Sequence, residues 1–191
     1  MSEESKRIEQ MLIELKDTSE LMVDLAYSSL LCQSKDIADR VIEMEEAVDK
    51  LHTEFELTVL ESDEKKPSKE KLALIRLGLA AETIADAAAM VADIVRKGVK
   101  PHPIFKMVLD ESEETVLSTT VAGNSVLIGK SLGELGLEDD IGMKIIAVFR
   151  DGRWAYNPSD SFELNAEDTI IVRGYSEGKE KLLSLTNPEE R

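Results

Sequence analysis

At 191 residues, with a net charge of −16 and a pI near 4.6, the chain has room for two small domains with separate cores. The acid excess is even, net −8 over residues 1–110 and again −8 over residues 111–191, so no single acidic tail explains it. It argues against a nucleic-acid polymer or an anionic membrane surface as partner, and no run reaches the roughly 18 apolar residues of a membrane span.

The first ten residues are polar and lack the apolar stretch of a signal peptide. From about residue 5 to 32, Ile8, Met11, Leu15, Met22 and Leu25 recur at helical spacing. Cys32, the single cysteine, excludes an intrachain disulfide and reads as a small buried residue. Ser34-Lys35-Asp36 breaks the helix, and a second runs to about Glu61 with Ile37, Val41, Met44, Val48 and Phe55 on one side. After a loop containing Pro67, a third long helix starts with Ser68 as N-cap and runs to Lys97. Gly98 and Pro101-His102-Pro103 end it. Residues 104–114 read as a short helix or a linker.

Beyond Thr115 the pattern turns to short β-type runs. Thr115-Val116-Leu117 and Ser125-Val126-Leu127-Ile128 read as extended, and Ser131–Leu135 as a brief helix. Lys144–Arg150, Arg153–Tyr156 and Asp168–Gly174 read as strands, and Asp151-Gly152 marks a two-residue hairpin turn that needs positive φ. Glu177–Leu185 closes the chain as a helix. The fold class is therefore α+β in two domains, an antiparallel long-helix bundle over residues 1–107 and a small α+β domain over residues 108–191.

The acids of the helical half stand out. Leu77–Val95 is apolar nearly all round, and its charges are Glu82, Asp86 and Asp93, close to one line of a helix. Glu20 and Asp24 make the same spacing in the first helix. Such a helix is expected to be central in the bundle, and a carboxylate buried there needs a partner, a proton or a cation. Two readings stand. These acids pair with Arg40, Arg76 or Lys97 or face solvent, or Glu20, Asp24, Glu82 and Asp86 form a carboxylate site for a hard divalent metal ion.

SELMVDLAY, MEEAVDKL and AAETIADAA, with Glu20-x-x-x-Asp24, Glu45-x-x-x-Asp49 and Glu82-x-x-x-Asp86, resemble PhoU-type bundles. That resemblance implies metal binding in some members and a role in phosphate uptake. It covers about half the helices of a full PhoU protein, so a complete bundle would form by dimerisation. GKSLGEL, KIIAVFRDG and AEDTIIVRG resemble the RCK_C (TrkA-C) domain of cytoplasmic potassium-channel and transporter regulators. This second resemblance implies a homodimer and a small regulatory ligand such as cyclic di-AMP. Positions carried over are Ile145, Ile146, Arg150, Asn157 and Pro158, with Arg150 offered to a phosphate. From the residues themselves, Ile145 and Ile146 read equally as core strand, and Arg150 and Arg153 as hairpin-end charges.

The glycines at 123, 129, 133 and 136 do not fit G-x-G-x-x-G, so NAD is not expected as a cofactor. His52 and His102 have no nucleophile at motif spacing, so catalysis is not expected. Together these imply a cytoplasmic, non-enzymatic regulatory subunit of a cation transport system, with potassium the expected ion, acting at the inner face of the membrane through a channel or transporter. The alternative is a metal-binding accessory of phosphate or divalent-metal homeostasis.

Overall fold

The computed structural model describes residues 3–62, 67–100, 102, 104, 107 and 113–188. The chain divides into two compact units, Met1–Lys100 and Pro101–Arg191. The boundary expected between residues 107 and 108, and most of the segment 104–114, fall outside the described residues.

The first unit consists of α1 (Glu3–Cys32), α2 (Lys35–Glu61) and α3 (Ser68–Arg96), each packed against the other two. Gln33, at φ 50°, turns α1 into α2, and the Ser34 hydroxyl caps α2 by accepting from Ile37 N–H. Leu15, Met22 and Leu25 of α1 and Val41, Val48 and Phe55 of α2 fill the core and are fully or almost fully buried. From α3 the buried residues are small: Gly78, Ala81, Ala85, Ala88 and Ala92, ending at Val95. Small residues let the α3 backbone come close. A Cβ at Gly78 would lie 2.7 Å from the Phe55 ring, so that position admits hydrogen only. At the far end Gly98 takes φ 70° and donates to Val95 O, the left-handed stop expected there.

Three expectations for this unit are corrected. Ser68 lies inside α3, whose cap residue is Pro67; its hydrocarbon side chain has no atom to cap with, and the helix begins there because Pro67 O accepts from Glu70 N–H. Cys32 is exposed, since α1 ends there at the rim of the bundle. The apolar run of α3 is not central either. The other two helices cover only one side of α3, and Leu72, Leu77, Leu79, Ile84 and Met90 are exposed.

The second unit is a four-stranded antiparallel sheet in the order β1-β4-β2-β3 with short helices against it. Its elements are β1 (Glu114–Thr120), α4 (Leu132–Leu135), α5 (Leu137–Ile141), β2 (Met143–Arg150), β3 (Arg153–Tyr156), β4 (Thr169–Tyr175), a 3-10 turn (Ser176–Gly178) and α6 (Lys179–Thr186). Asp151 and Gly152, at φ 51° and 78°, make the hairpin turn between β2 and β3. One sheet face contributes Met143, Ile145, Val148, Ile170 and Val172 to a core closed by Leu127, Leu137, Leu164 and Leu182. The stretch Ser125–Ile128, expected to be extended, is a series of turns. There the Ser125 hydroxyl accepts from Leu127 N–H and donates to Leu185 O, a local bond that competes with strand formation.

Ser131 and Glu134 form a reciprocal capping box at α4: Ser131 Oγ accepts from Glu134 N–H, and Glu134 Oε2 accepts from Ser131 N–H. These bonds hold the Glu134 carboxyl below its ordinary range. Ser131→Ala is expected to cost about 1 kcal/mol of stability in this unit, measured by chemical denaturation.

Candidate functional site

In the C-terminal unit the residues of interest converge on β2 and the end of β3. Ile145 pairs with Val172 and Ala147 with Ile171, so Ile146 is the extra residue of a β-bulge. The bulge breaks the alternation of the strand, and Ile145 and Ile146 are both buried, at 6% and 3% exposure. Ile146 O accepts from Asn157 N–H at 2.8 Å. Asn157 is exposed, takes φ 44°, and turns the chain from β3 into Pro158. Ile145 and Pro158 both line a cavity of about 320 Å³ whose other walls include Gly133, Leu137, Glu138, Lys144 and Asp160. Four of the five expected ligand positions, Ile145, Ile146, Asn157 and Pro158, are thus brought together.

Arg150 is not among them. It lies at the other end of β2 and is engaged by the fold. Its Nε donates to Asp168 Oδ1 at 2.7 Å and its Nη2 to Asp168 Oδ2 at 2.6 Å, with a further bond from Nη2 to Glu163 O at 2.7 Å. The guanidinium also stacks 5.0 Å from the Phe162 ring centre. Asp168 is 1% exposed and accepts from Asn165 N–H as well. The Asp168 hydrogen bonds push the Arg150 pKa above its already high ordinary value. The bidentate geometry that would serve a phosphate is used on a carboxylate of the same chain. Among the described residues Lys144 is the cation lining the cavity, 3.7 Å from Glu138.

The helical unit holds a second cluster. Glu45 and Asp49, one turn apart on α2, meet Asp86 of α3, with one carboxylate oxygen from each within 4.8 Å of the others. Burial raises the Glu45 pKa, and Asp49, Asp86, Glu46 and Glu82 raise it further by repulsion. Among the described residues this is the one convergent group of three such ligands. The expected set of Glu20, Asp24, Glu82 and Asp86 is not assembled in this arrangement. Glu20, on α1, is exposed and ion-paired with Lys16 at 3.3 Å, and Asp24 is half-buried on the same helix. The acidic line of α3 turns toward α2, so Asp86 meets Glu45 and Asp49, with Glu82 close enough to act on Glu45. Asp93 pairs with Lys97 and Arg96 with Asp39 at 2.8 Å. No helix among the described residues is long and apolar enough to cross a membrane.

The chain is thus a three-helix bundle with an acidic seam followed by a four-stranded sheet unit with a bulged strand. The PhoU domain model matches residues 12–95 and the TrkA-C domain model matches residues 116–187. The chain carries a PhoU domain followed by a TrkA-C domain. None of the curated proteins matches it. Among solved structures it is similar to the RCK_C domain dimer of S. agalactiae BusR in complex with c-di-AMP, at 22% identity and TM-score 0.37 over 41% of this chain and 96% of that one. It is also similar to the RCK C domain of the potassium transport protein KtrA in complex with c-di-AMP, at 19% identity and TM-score 0.34 over 41% and 88%. A third is S. agalactiae BusR in complex with its busAB-promotor DNA, at 14% identity and TM-score 0.37 over 90% and 97%.

Proposed function

We propose that this protein is a regulatory subunit of a cation transport system, with potassium the expected ion, that works by ligand binding and not by turnover. The TrkA-C domain takes a small regulatory molecule at the corner formed by β2 and Asn157-Pro158, and a homodimer is the working form. The observation that carries this reading is the convergence of Ile145, Ile146, Asn157 and Pro158, fixed by the bond from Asn157 N–H to Ile146 O. The apolar wall suits the flat face of a base, and the exposed Asn157 amide suits its polar edge. A protein of this kind acts on the cytoplasmic side, through a membrane channel or transporter that it contacts.

Cyclic di-AMP is the probe, titrated calorimetrically into the full chain. Asn157→Gly is the control, because glycine keeps the positive φ while removing the amide. Saturable binding that weakens about tenfold in Asn157→Gly, the loss of one or two hydrogen bonds, is the expected result. Absence of binding would count against cyclic di-AMP as the ligand, and binding equal in both proteins would move the site elsewhere.

A second reading is supported by the Glu45, Asp49 and Asp86 cluster. Three carboxylates with no cation among them fit a hard divalent ion such as Mg²⁺, Ca²⁺ or Mn²⁺. On this reading the protein is a metal-binding accessory of phosphate or divalent-metal homeostasis, and metal occupancy of the helical unit is what it senses.

A further inference from the structure

The third helix is packed inside out. It buries Gly78, Ala81, Ala85, Ala88 and Ala92 and exposes its large apolar residues. Leu72, Leu79, Met90 and Ile94 are 48%, 49%, 74% and 38% exposed and lie along one line of the helix. Ala80, Thr83 and Ala87 fill the middle of that line and are also exposed. A monomer leaves such a face in water at a cost that scales with its apolar area.

We infer that this face of α3 pairs with α3 of a second copy of the chain, antiparallel about a two-fold axis near Thr83. The charge pattern of the helix selects that partner and that direction. Residues 68–81 carry Lys69, Lys71 and Arg76 against Glu70, with Lys71 held by Leu60 O and Ser62 O, whereas residues 82–96 carry Glu82, Asp86 and Asp93 against Arg96, which pairs with Asp39. An isologous antiparallel pair lays the basic half of each helix on the acidic half of the other. Parallel pairing would put like on like. An anionic membrane is disfavoured by the same acids.

The register follows from the axis. With Thr83 opposite itself, Leu72 meets Ile94 of the second copy and Leu79 meets its Ala87. The small residues at the centre let the two backbones approach, as a tight helix crossing needs. Arg76 then meets Met90 of the second copy, between the Asp86 and Asp93 of that copy. Arg76 is exposed and makes no ion pair among the described residues. Asp86 belongs to the carboxylate cluster, whose three acids are in no ion pair among the described residues. The pairing therefore brings a positive charge from the second copy toward each cluster. It does not depend on any ligand at the C-terminal unit.

The test is site-directed cross-linking of the full chain. In a Cys32→Ser background, Thr83→Cys is expected to form a disulfide-linked dimer under mild oxidant, because a residue on the axis faces its own copy. Glu43→Cys, exposed on α2, is the control and should not. Arg76→Glu is expected to lower the Thr83→Cys cross-linking rate by about tenfold, and adding Asp93→Arg to restore it. Circular dichroism checks that the variants, all at surface positions, keep their helix content. Cross-linking at Thr83 no faster than at Glu43, or unchanged by Arg76→Glu, overturns the pairing. A dimer that persists by light scattering without the Thr83 cross-link assigns self-association to another surface and also overturns it.

Discussion

Arg150→Ala is expected to lower the stability of the C-terminal unit by about 3 kcal/mol. The residue sits at the end of β2 and holds Asp168 with two hydrogen bonds, and Asp168 is 1% exposed just before β4. Truncation leaves a carboxylate in the interior with, among the described residues, the Asn165 N–H as its remaining donor. That penalty is the cost of an orphaned buried charge and not the net worth of the pair. Arg150→Met combined with Asp168→Leu should therefore recover most of the loss, because neither charge is then buried. Trp154, the single tryptophan, is on β3 in this unit, so its fluorescence follows this unit alone through a denaturant titration. A loss below about 0.5 kcal/mol would place Arg150 among ordinary surface pairs. It follows that Arg150→Ala is a poor reporter of ligand binding, since weakened binding and a loosened sheet would look alike. Asn157→Gly avoids that confusion.

How far the fold was legible follows from which interactions are local. The hairpin at Asp151-Gly152, the stop at Gly98 and the brief helix after Ser131 are fixed by residues a few positions apart, and each formed where the residues point. The Ile146 bulge left no mark in the sequence. It contains no glycine, and it arises from the register of β2 against β4, residues far apart along the chain. The Arg150–Asp168 clamp was hidden for the same reason, although an acid at the head of β4 in AEDTIIVRG was a signal that could have raised the question.

The acidic seam was half legible. Periodicity groups residues on one helix, and it put Glu82, Asp86 and Asp93 on one line, of which Asp86 joins the cluster and Asp93 pairs with Lys97. It carries no information on which neighbouring helix that line will face. Glu45 and Asp49 stood out as a motif of their own, yet their meeting with Asp86 depends on the crossing of α2 and α3 at Gly78, where Phe55 sets the distance. The apolar content of α3 was misleading because composition does not distinguish a helix surrounded by its own chain from one with a face left for a second chain.

Glu45→Gln is expected to stabilise the metal-free helical unit at neutral pH by about 0.5–1 kcal/mol, the size of like-charge relief at partly screened sites. Burial and then the neighbouring acids raise the Glu45 pKa above its ordinary value near 4.5. A carboxyl whose folded pKa is raised favours the protonated fold. Its contribution to stability is fully present below the unfolded pKa and is lost as pH rises through the folded one. The advantage of glutamine over glutamate should therefore be largest at neutral pH and vanish as pH falls to about 4.5. Helical ellipticity, which is dominated by the first unit, follows the transition.

A divalent cation should act on the same repulsion. At a concentration about a hundred times its Kd, Mg²⁺ or Mn²⁺ would add roughly 2.7 kcal/mol to the unfolding free energy, against an ionic-strength-matched Na⁺ control. In Glu45→Gln and in Asp86→Asn the gain should largely disappear, because each variant removes one of three ligands. The two halves of this prediction separate the readings of the cluster. Stabilisation by glutamine with no cation effect makes the seam a repulsive surface relieved only by its partner helix. Stabilisation by cation that the variants abolish makes it a metal centre, and the helical unit becomes a second input to the regulator.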